Sequence, residues 1–384
     1  MKQEIYLDNS ATTRALPEVV QAVSAALENN YGNPSSLHGK GVAAERAVRQ
    51  ARAAVASLLG VKAEEIFFTS GGTEANNWAL RGVALSHRRR GNHVITTVVE
   101  HPSVLRACQE LEAEGYQVTY LPVDRTGEIS PDDLASALTP ETILVSVMHV
   151  NNEVGAVQPL QQVGALLRKR EPKPVFHVDA IQGYGKLPLN PYDLGIDLVS
   201  VSAHKIHGPK GVGALFIREG VRLKPLLVGG EQEANLRAGT ENVPGIVGLG
   251  SATAAARGRM SQGLEHMRGL KTALASRVMG EIPGTRLNGP SPEQGAPHIL
   301  NLSFPGVKGE VLIHTLETDG IYVSTGSACH SRRNDPSHVL VAMGLKKKEL
   351  DGAIRFSFSH LNTPEEIDMV VERLAEAVRD LRSL

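Results

Sequence analysis

The sequence has few cysteines and no long apolar run. Only Cys108 and Cys329 occur among its 384 residues, which excludes a disulfide framework, and no Cys-x-x-Cys or His-Glu-x-x-His pattern offers a metal site. No stretch of about 18 apolar residues could span a membrane, and the first residues lack the apolar core of a secretory signal. We therefore expect a cytoplasmic protein with no metal and no membrane partner.

The sequence also lacks a large excess of positive or of negative charge. The 40 basic residues stand against 41 acidic ones, so the chain has no general attraction for nucleic acid. With 41% hydrophobic and 21% charged residues, it can bury a large core and form one large domain and a smaller one. These features favour chemistry on a small molecule, without direct nucleic-acid binding.

Strand-like and helical segments alternate through the first half of the chain. Apolar, β-branched runs such as residues 93–99, 142–148 and 175–178 each end in polar residues. This alternation predicts an α/β fold with a mainly parallel sheet, whose ligand sites lie beyond the carboxyl ends of the strands. The polar residues at these predicted ends are Thr73, His101, Asn152, Asp179, Gln182 and Lys205.

Residues 197–213 contain the most informative of these positions. An apolar strand ends there in small residues and the pair His204-Lys205, and a glycine-rich turn follows. A lysine fixed at a strand end suits covalent chemistry with an aldehyde cofactor, because a Schiff base needs a neutral amine in a defined position. A solvated loop lysine is the alternative. The shared location of the other strand-end residues favours the chemical role.

A second stretch has the features of a phosphate site. The strand at residues 65–69 leads into Ser70-Gly71-Gly72-Thr73, and a helix begins at once. Glycine lets the backbone approach an anion closely, and the amides at a helix start favour phosphate. The equal alternative is a tight turn that needs glycine only for its dihedral angles.

The C-terminal part predicts a smaller α+β unit, with strands at residues 298–304, 321–323 and 353–358. We expect a large domain at 15–256 and a small domain that combines 1–14 with 257–384. The small domain carries a loop at about 324–336 that contains Cys329, near basic residues that would favour its thiolate. A buried apolar role is the alternative for Cys329 and, more strongly, for Cys108.

These segments resemble the cysteine desulfurases of the NifS/IscS type, pyridoxal 5'-phosphate (PLP) enzymes of the class V aminotransferase family. The similarity runs from Tyr6-Leu-Asp-Asn-Ser-Ala-Thr-Thr13 to Ile354-Arg355-Phe-Ser and covers almost the whole chain. It implies the aspartate aminotransferase-like fold (PLP fold type I), with a seven-stranded, mainly parallel sheet in the large domain. It also implies a homodimer.

The resemblance assigns a role to each candidate site residue. Lys205 would hold the cofactor aldehyde, Asp179 would pair with the pyridinium nitrogen, and His101 would stack on the ring. Asn152, which also belongs to the implied cofactor site, and Arg355 would bind the substrate carboxylate. The remaining cofactor contacts would come from Gln182 at the phenolic oxygen and, at the phosphate, from Gly72, Thr73, Ser202, His204 and the second subunit's Thr240.

The implied reaction converts L-cysteine to L-alanine. Lys205 would remove the Cα proton as general base, the Cys329 thiolate would attack the substrate sulfur, and His101 would carry the proton of the substrate thiol. The Cys329 persulfide would then pass to an acceptor protein for iron–sulfur cluster assembly or tRNA thiolation. Thr325 and His330 differ from the residues most common at these positions of the cysteine loop, so the resemblance does not determine how the loop moves.

Two other classes of function remain open. One is a selenocysteine lyase or another class V enzyme, such as an aminotransferase. The other is a catalytically inactive scaffold or partner protein that keeps the fold as a docking surface. Replacement of Cys329 separates the enzymes, and visible absorption by the purified protein separates an enzyme from a scaffold.

Overall fold

The computed structural model describes residues 4–325 and 336–383. Its strands are β1 (Ile5–Tyr6), β2 (Ile66–Thr69), β3 (His93–Thr97), β4 (Gln117–Leu121), β5 (Thr142–Met148), β6 (Val175–Asp179), β7 (Leu198–Ser202), β8 (Gly213–Ile217), β9 (Arg286–Asn288), β10 (Ile299–Ser303), β11 (Ile321–Tyr322) and β12 (Ala353–Ser357). Its helices are α1 (Pro17–Asn29), α2 (Gly39–Leu59), α3 (Gly72–His87), α4 (Pro102–Ala113), α5 (Pro131–Ala137), α6 (Leu160–Leu167), α7 (Pro191–Leu194), α8 (Val243–Glu281), α9 (Gly309–Thr318), α10 (His338–Ala342), α11 (Lys347–Leu350) and α12 (Pro364–Ser383).

A seven-stranded sheet with the order β2-β8-β7-β6-β5-β3-β4 forms the centre of the fold. The five strands from β3 to β7 pair with one another in parallel. Strand β8 runs antiparallel to its two neighbours, β2 and β7. Every residue of β3, β5, β6 and β7 is buried, because helices cover both faces, which explains their nearly continuous apolar sequences. The predicted mainly parallel sheet is confirmed.

Two layers of helices enclose this sheet. On one face, α3 and α4 form a core with the sheet that contains the fully buried Trp78 and Leu111. On the other, α2, α6 and the first part of α8 supply Val55, Val163 and Leu249 to a second core. The strand ends are therefore the part of the sheet that remains open to ligands.

A smaller unit packs around an antiparallel sheet of order β12-β10-β9. Its core includes Leu274 of α8, Leu312 of α9 and Leu374 of α12. The N-terminal strand β1 pairs in parallel with β11, and Leu7 belongs to the same core. Strand β9 was not predicted, because it has only three residues and begins with an exposed arginine. The division at residues 14/15 and 256/257 stays a prediction.

Helix α8, which has 39 residues, connects the two cores. It begins at Val243, where the Asn242 side chain accepts a hydrogen bond from the Gly245 N–H and Pro244 occupies the first turn. Leu249 packs in the core of the large sheet and Leu274 in that of the smaller unit. Residue 257, the expected domain boundary, therefore lies inside a continuous helix.

Two findings on residues 4–325 and 336–383 bear on the expected absence of a membrane partner and of a metal. Within them, none of the helices has the length and apolar character that a membrane crossing requires. No group of three or more His, Cys, Asp or Glu side chains suited to a metal ion comes together there.

Candidate active site

A cavity of about 280 Å³ lies beyond the carboxyl ends of β3, β5, β6 and β7. Ten of the predicted site residues line it: Gly72, Thr73, His101, Asn152, Asp179, Gln182, Ser202, His204, Lys205 and Arg355. Thr240 is exposed and is not among the lining residues, so its expected contact, which needs a second subunit, stays a prediction. Cys329 lies outside the described residues.

Asp179 is a buried carboxylate at the end of β6, only 4% exposed. Its Oδ2 accepts a hydrogen bond from Asn76 Nδ2 at 2.8 Å, and its Oδ1 accepts one from the Ile181 N–H at 3.0 Å. Burial raises the pKa of Asp179, although these hydrogen bonds and the positive charge of Lys205 oppose the rise. A cationic partner inside the cavity would therefore stabilise its ionised form.

Asn76 links Asp179 to His101 and was missed in the sequence. Besides its bond to Asp179, Asn76 Nδ2 donates to Ser103 Oγ at 2.8 Å, and Ser103 Oγ lies 2.8 Å from His101 Nδ1. The Ser103 N–H also donates to His101 Nδ1 at 3.1 Å. Because Nδ1 is an acceptor, the proton of the neutral imidazole is on Nε2. No sequence signal distinguished Asn76 from other helical asparagines.

Lys205 follows β7 in a short helical turn, residues 203–205. Its Nζ donates to the carbonyl oxygens of Ser10 and Ala11, at 2.5 and 2.7 Å. That N-terminal segment is itself fixed, because the Ser10 N–H donates to Ser357 Oγ at 2.9 Å. The Ser10 and Ala11 acceptors are backbone atoms, so side-chain identity could not reveal them.

Gly72 and Thr73 at the start of α3 line the same cavity as Ser202 and His204, and the phosphate site expected there stays a prediction. A Cβ atom at Gly72 would lie 2.1 Å from Cδ1 of Ile181, another lining residue, so any larger residue here would force the Ile181 side chain to move. Burial, followed by the charge of Lys205, lowers the pKa of His204 to about 4. His204 is therefore a neutral hydrogen-bonding group near pH 7.

Arg355 provides a positive group in the same cavity and is only 2% exposed. Its NH2 group donates to Asp8 Oδ1 at 2.8 Å, and its NH1 group donates to the Asn152 carbonyl oxygen at 2.9 Å. Its backbone N–H donates to the Ser324 carbonyl oxygen at 2.6 Å. A guanidinium held in this way suits a carboxylate ligand.

Residues on the β3 and α10 sides complete the cavity wall. His338 Nε2 donates to the Glu100 carbonyl oxygen at 3.0 Å, and Ser337 Oγ donates to Glu153 Oε2 at 2.5 Å. His338 and Glu153 line the cavity. The sequence singled out none of these residues, because their contacts join segments far apart in the chain.

The donor set fits pyridoxal phosphate. A helix start suits its phosphate, Lys205 could supply the amine for its aldehyde, and Asp179 could supply the carboxylate for its ring nitrogen. Gln182 Nε2 donates to the Ser10 carbonyl oxygen at 2.9 Å, while its buried Oε1 has no hydrogen-bond partner within the described ranges. That amide therefore has capacity for a further bond to a ligand.

Comparison with known proteins agrees with this geometry. The family model Aminotransferase class-V matches residues 5–370. The chain is 45% identical over 380 residues to "Cysteine desulfurase IscS" of Methanosarcina thermophila, covering 99% of this chain and 93% of that protein. It is 47% identical over 380 residues to "Cysteine desulfurase" of Trichormus azollae, covering 99% and 94%.

The fold comparison gives the same result. A solved structure named "NIFS-LIKE PROTEIN" has a TM-score of 0.93 and 40% identity, covering 98% of this chain and 100% of that one. The predicted aspartate aminotransferase-like fold, PLP fold type I, is confirmed. This chain belongs to the class V aminotransferase family, whose members depend on PLP.

Proposed function

We propose that this chain is a PLP-dependent cysteine desulfurase, which converts L-cysteine to L-alanine and takes up the sulfur as a persulfide on Cys329. The observation that carries the proposal is a single cavity lined by Lys205, Asp179 and Arg355. These are an amine for the cofactor, a carboxylate for its ring and a guanidinium for the substrate. Relatives named cysteine desulfurase, at 45–47% identity, support the same substrate.

Three residues of the chain have separate roles in this reaction. The bound cofactor supplies an electron sink for charge at the substrate Cα. Lys205 holds the cofactor and then moves the Cα proton at Nζ, which the Ser10 and Ala11 carbonyls orient. Asp179 favours a protonated ring nitrogen. Arg355 binds the substrate carboxylate.

His101 carries the proton of the substrate thiol. Its Nδ1 accepts the Ser103 N–H, so the neutral ring holds its proton on Nε2. The ring must first donate this proton to the substrate, and the freed Nε2 can then take up the proton of the thiol. Asn76 holds Ser103 and Asp179 at once. The proton carrier and the ring-binding carboxylate therefore share one rigid support.

The two cysteines differ in their suitability as the sulfur acceptor. Cys108 is fully buried in the core beside α3, and burial raises the pKa of its thiol to about 12. It stays protonated and inaccessible at neutral pH. Cys329 is the other cysteine of the sequence, so the proposal assigns the persulfide to it.

The proposal includes a homodimer in the cytoplasm. Apolar side chains are strongly exposed in two stretches of the single chain, with Leu37 at 100%, Tyr31 at 68% and Val228 at 90%. A second copy that covers these stretches would explain their exposure. It would also bring Thr240 to the partner's phosphate site. The persulfide sulfur then passes to an iron–sulfur scaffold or a tRNA-thiolation protein.

Labelling with cysteine that contains ³⁵S tests the proposal. The protein should retain protein-bound label that a thiol reductant releases, and Cys329→Ser should abolish the label while the visible cofactor band stays. Cys108→Ser is the matched control and should label normally. Label that survives in Cys329→Ser would refute the assigned acceptor.

The same preparations separate the alternatives. An aminotransferase would form no labelled persulfide and would be insensitive to Cys329→Ser. A selenocysteine lyase would release selenide from selenocysteine but give no label from cysteine. A scaffold protein would be colourless, and borohydride would attach no cofactor at Lys205.

A further inference from the structure

Glu153 is a buried carboxylate in the wall of the active-site cavity, and the proposed reaction gives it no role. It is only 2% exposed and lines the cavity together with Lys205 and Arg355. Its N–H donates to Asn151 Oδ1 at 2.9 Å, and its carbonyl oxygen accepts a hydrogen bond from Asn301 Nδ2 at 3.1 Å. The backbone of Glu153 is therefore held in one position.

The Glu153 carboxylate has a hydroxyl partner rather than a cationic one. Its Oε2 accepts a hydrogen bond from Ser337 Oγ at 2.5 Å. Its Oε1 accepts none from residues 4–325 and 336–383, and it is not fully enclosed by protein. Arg355, the arginine of the cavity wall, pairs with Asp8 instead. Glutamate is almost never buried without an ionic partner, so a contact with a ligand is a reason to look for at this position.

Glu153 lies on the side of the cavity that would receive the substrate. It directly follows Asn152, whose carbonyl oxygen accepts a hydrogen bond from Arg355 NH1 at 2.9 Å, and consecutive Cα atoms are about 3.8 Å apart. The expected phosphate site includes Ser202 at the end of β7, and β6 separates β7 from β5. Since paired strands are about 4.8 Å apart, roughly 10 Å separates the ends of β5 and β7. Glu153 therefore belongs to the Arg355 side of the cavity and not to the phosphate side.

A substrate with an anionic side chain would meet an unfavourable charge on this side. Lys205 and Arg355 are the lysine and the arginine among the described lining residues, and the proposed function uses them for the cofactor and for the substrate carboxylate. Glu153 adds a negative charge without adding a cation to balance a second anionic group. Like charges repel more strongly in a buried cavity than in water. The neutral thiol of L-cysteine avoids this repulsion.

We propose that Glu153 is a specificity-determining residue, which excludes amino acids with an anionic side chain, such as L-aspartate, from the substrate site. The proposal rests on the proposed function, because that function places the substrate carboxylate at Arg355. The alternative is a purely structural role, in which Glu153 only holds Ser337. Ser337 Oγ accepts a hydrogen bond from the Leu340 N–H at 3.2 Å, at the start of α10.

Binding of L-aspartate and L-asparagine to the holoenzyme tests the proposal, because these side chains have nearly the same shape and differ in charge. The visible cofactor band, followed during titration, reports binding rather than turnover. We expect the dissociation constant of L-aspartate to exceed that of L-asparagine by about 30-fold in the unchanged protein. Glu153→Gln removes the charge but keeps an oxygen for the Ser337 hydroxyl, so this ratio should fall close to one.

Ser337→Ala is the matched control for a structural role of Glu153. It removes the hydrogen bond to Glu153 Oε2 but leaves the charge of the carboxylate in place. The ratio of the two dissociation constants should therefore stay as in the unchanged protein. If Glu153 acted only by holding Ser337, both variants would change the two dissociation constants together and leave their ratio unaltered.

Equal dissociation constants in the unchanged protein, an undiminished ratio in Glu153→Gln, or a ratio lost in Ser337→Ala would each overturn the proposal. Exclusion of L-asparagine together with L-aspartate would overturn it as well, because shape rather than charge would then select the substrate. If Glu153→Gln fails to fold, the unchanged protein and Ser337→Ala still decide. Failure of the proposed function would instead appear as a lack of protein-bound label from ³⁵S-cysteine, which the dissociation constants do not measure.

Discussion

The buried residue Glu100, which precedes His101, predicts how the free energy of unfolding depends on pH. It is fully buried, and its Oε1 accepts hydrogen bonds from the Met148 N–H at 2.8 Å and from Thr97 Oγ1 at 3.0 Å. Its Oε2 has no partner within the described part of the chain. Burial, followed by the charge of Asp179, raises the pKa of Glu100 from 4.5 to about 8. The folded protein therefore keeps this carboxyl neutral at pH 7.

The sign of the effect on stability follows from this shift. Between pH 4.5 and about 8, the folded state holds the proton and the unfolded state has lost it. The free energy of unfolding consequently falls as pH rises through this window, and the loss is complete above about pH 8. At about 1.36 kcal/mol for each pKa unit, the shift of roughly 3.5 units corresponds to a loss of about 5 kcal/mol.

Glu100→Gln should remove this pH dependence. The amide oxygen can accept the same two hydrogen bonds, but the new N–H group replaces Oε2 and lacks a partner, which costs about 1 kcal/mol at pH 5. At pH 9 the variant should be more stable than the unchanged protein by about 4 kcal/mol, because it avoids the buried charge. The two stability profiles should cross between these values.

Urea unfolding followed by circular dichroism, at pH 5, 7 and 9 with equal cofactor, measures the difference between the two proteins. Glu110→Gln, at an exposed position on α4, is the matched control and should show a constant difference. If the difference for Glu100→Gln is also constant from pH 5 to pH 9, the assigned titration of Glu100 is wrong.

Three further predictions concern the active site. Asp179→Asn removes the charge but preserves the shape, and should weaken cofactor binding about 10- to 100-fold, measured by titration of the apoprotein; unchanged affinity would contradict its role at the ring nitrogen. Arg355→Lys loses the planar fork and should raise the KM for L-cysteine about tenfold or more with an unchanged cofactor band, as steady-state kinetics would show. Asn76→Ala breaks the link between Asp179 and Ser103 and should lower the free energy of unfolding by about 1–3 kcal/mol together with kcat; normal values of both would show that the link is dispensable.

Local sequence features predicted much of the site. The ends of β3, β5, β6 and β7 could be recognised because buried strands have nearly continuous apolar residues and stop at polar ones. Parallel strands bring their carboxyl ends to one edge of the sheet, so His101, Asn152, Asp179 and Lys205 could be expected together before any contact was known. The resemblance to a known family then assigned a role to each.

Other features depend on contacts between distant segments. Strand β9 forms only because β10 pairs with it, since three residues carry too weak a pattern. Helix α8 runs through residue 257 and packs in both cores, and the domain boundary expected near that residue stays a prediction. The roles predicted for Thr240 and Cys329 stay predictions.

The sequence by itself determined which residues stand at strand ends and where glycine allows a close approach, because apolar periodicity and backbone freedom are local properties of the chain. Only the tertiary structure decided that Asn76 joins His101 to Asp179, that the Ser10 and Ala11 carbonyls orient Lys205, and that the Lys186 Nζ is buried with no hydrogen-bond partner among residues 4–325 and 336–383. Burial and hydrogen bonding of this kind arise when segments that are distant in the sequence pack together, and no local pattern encodes that packing.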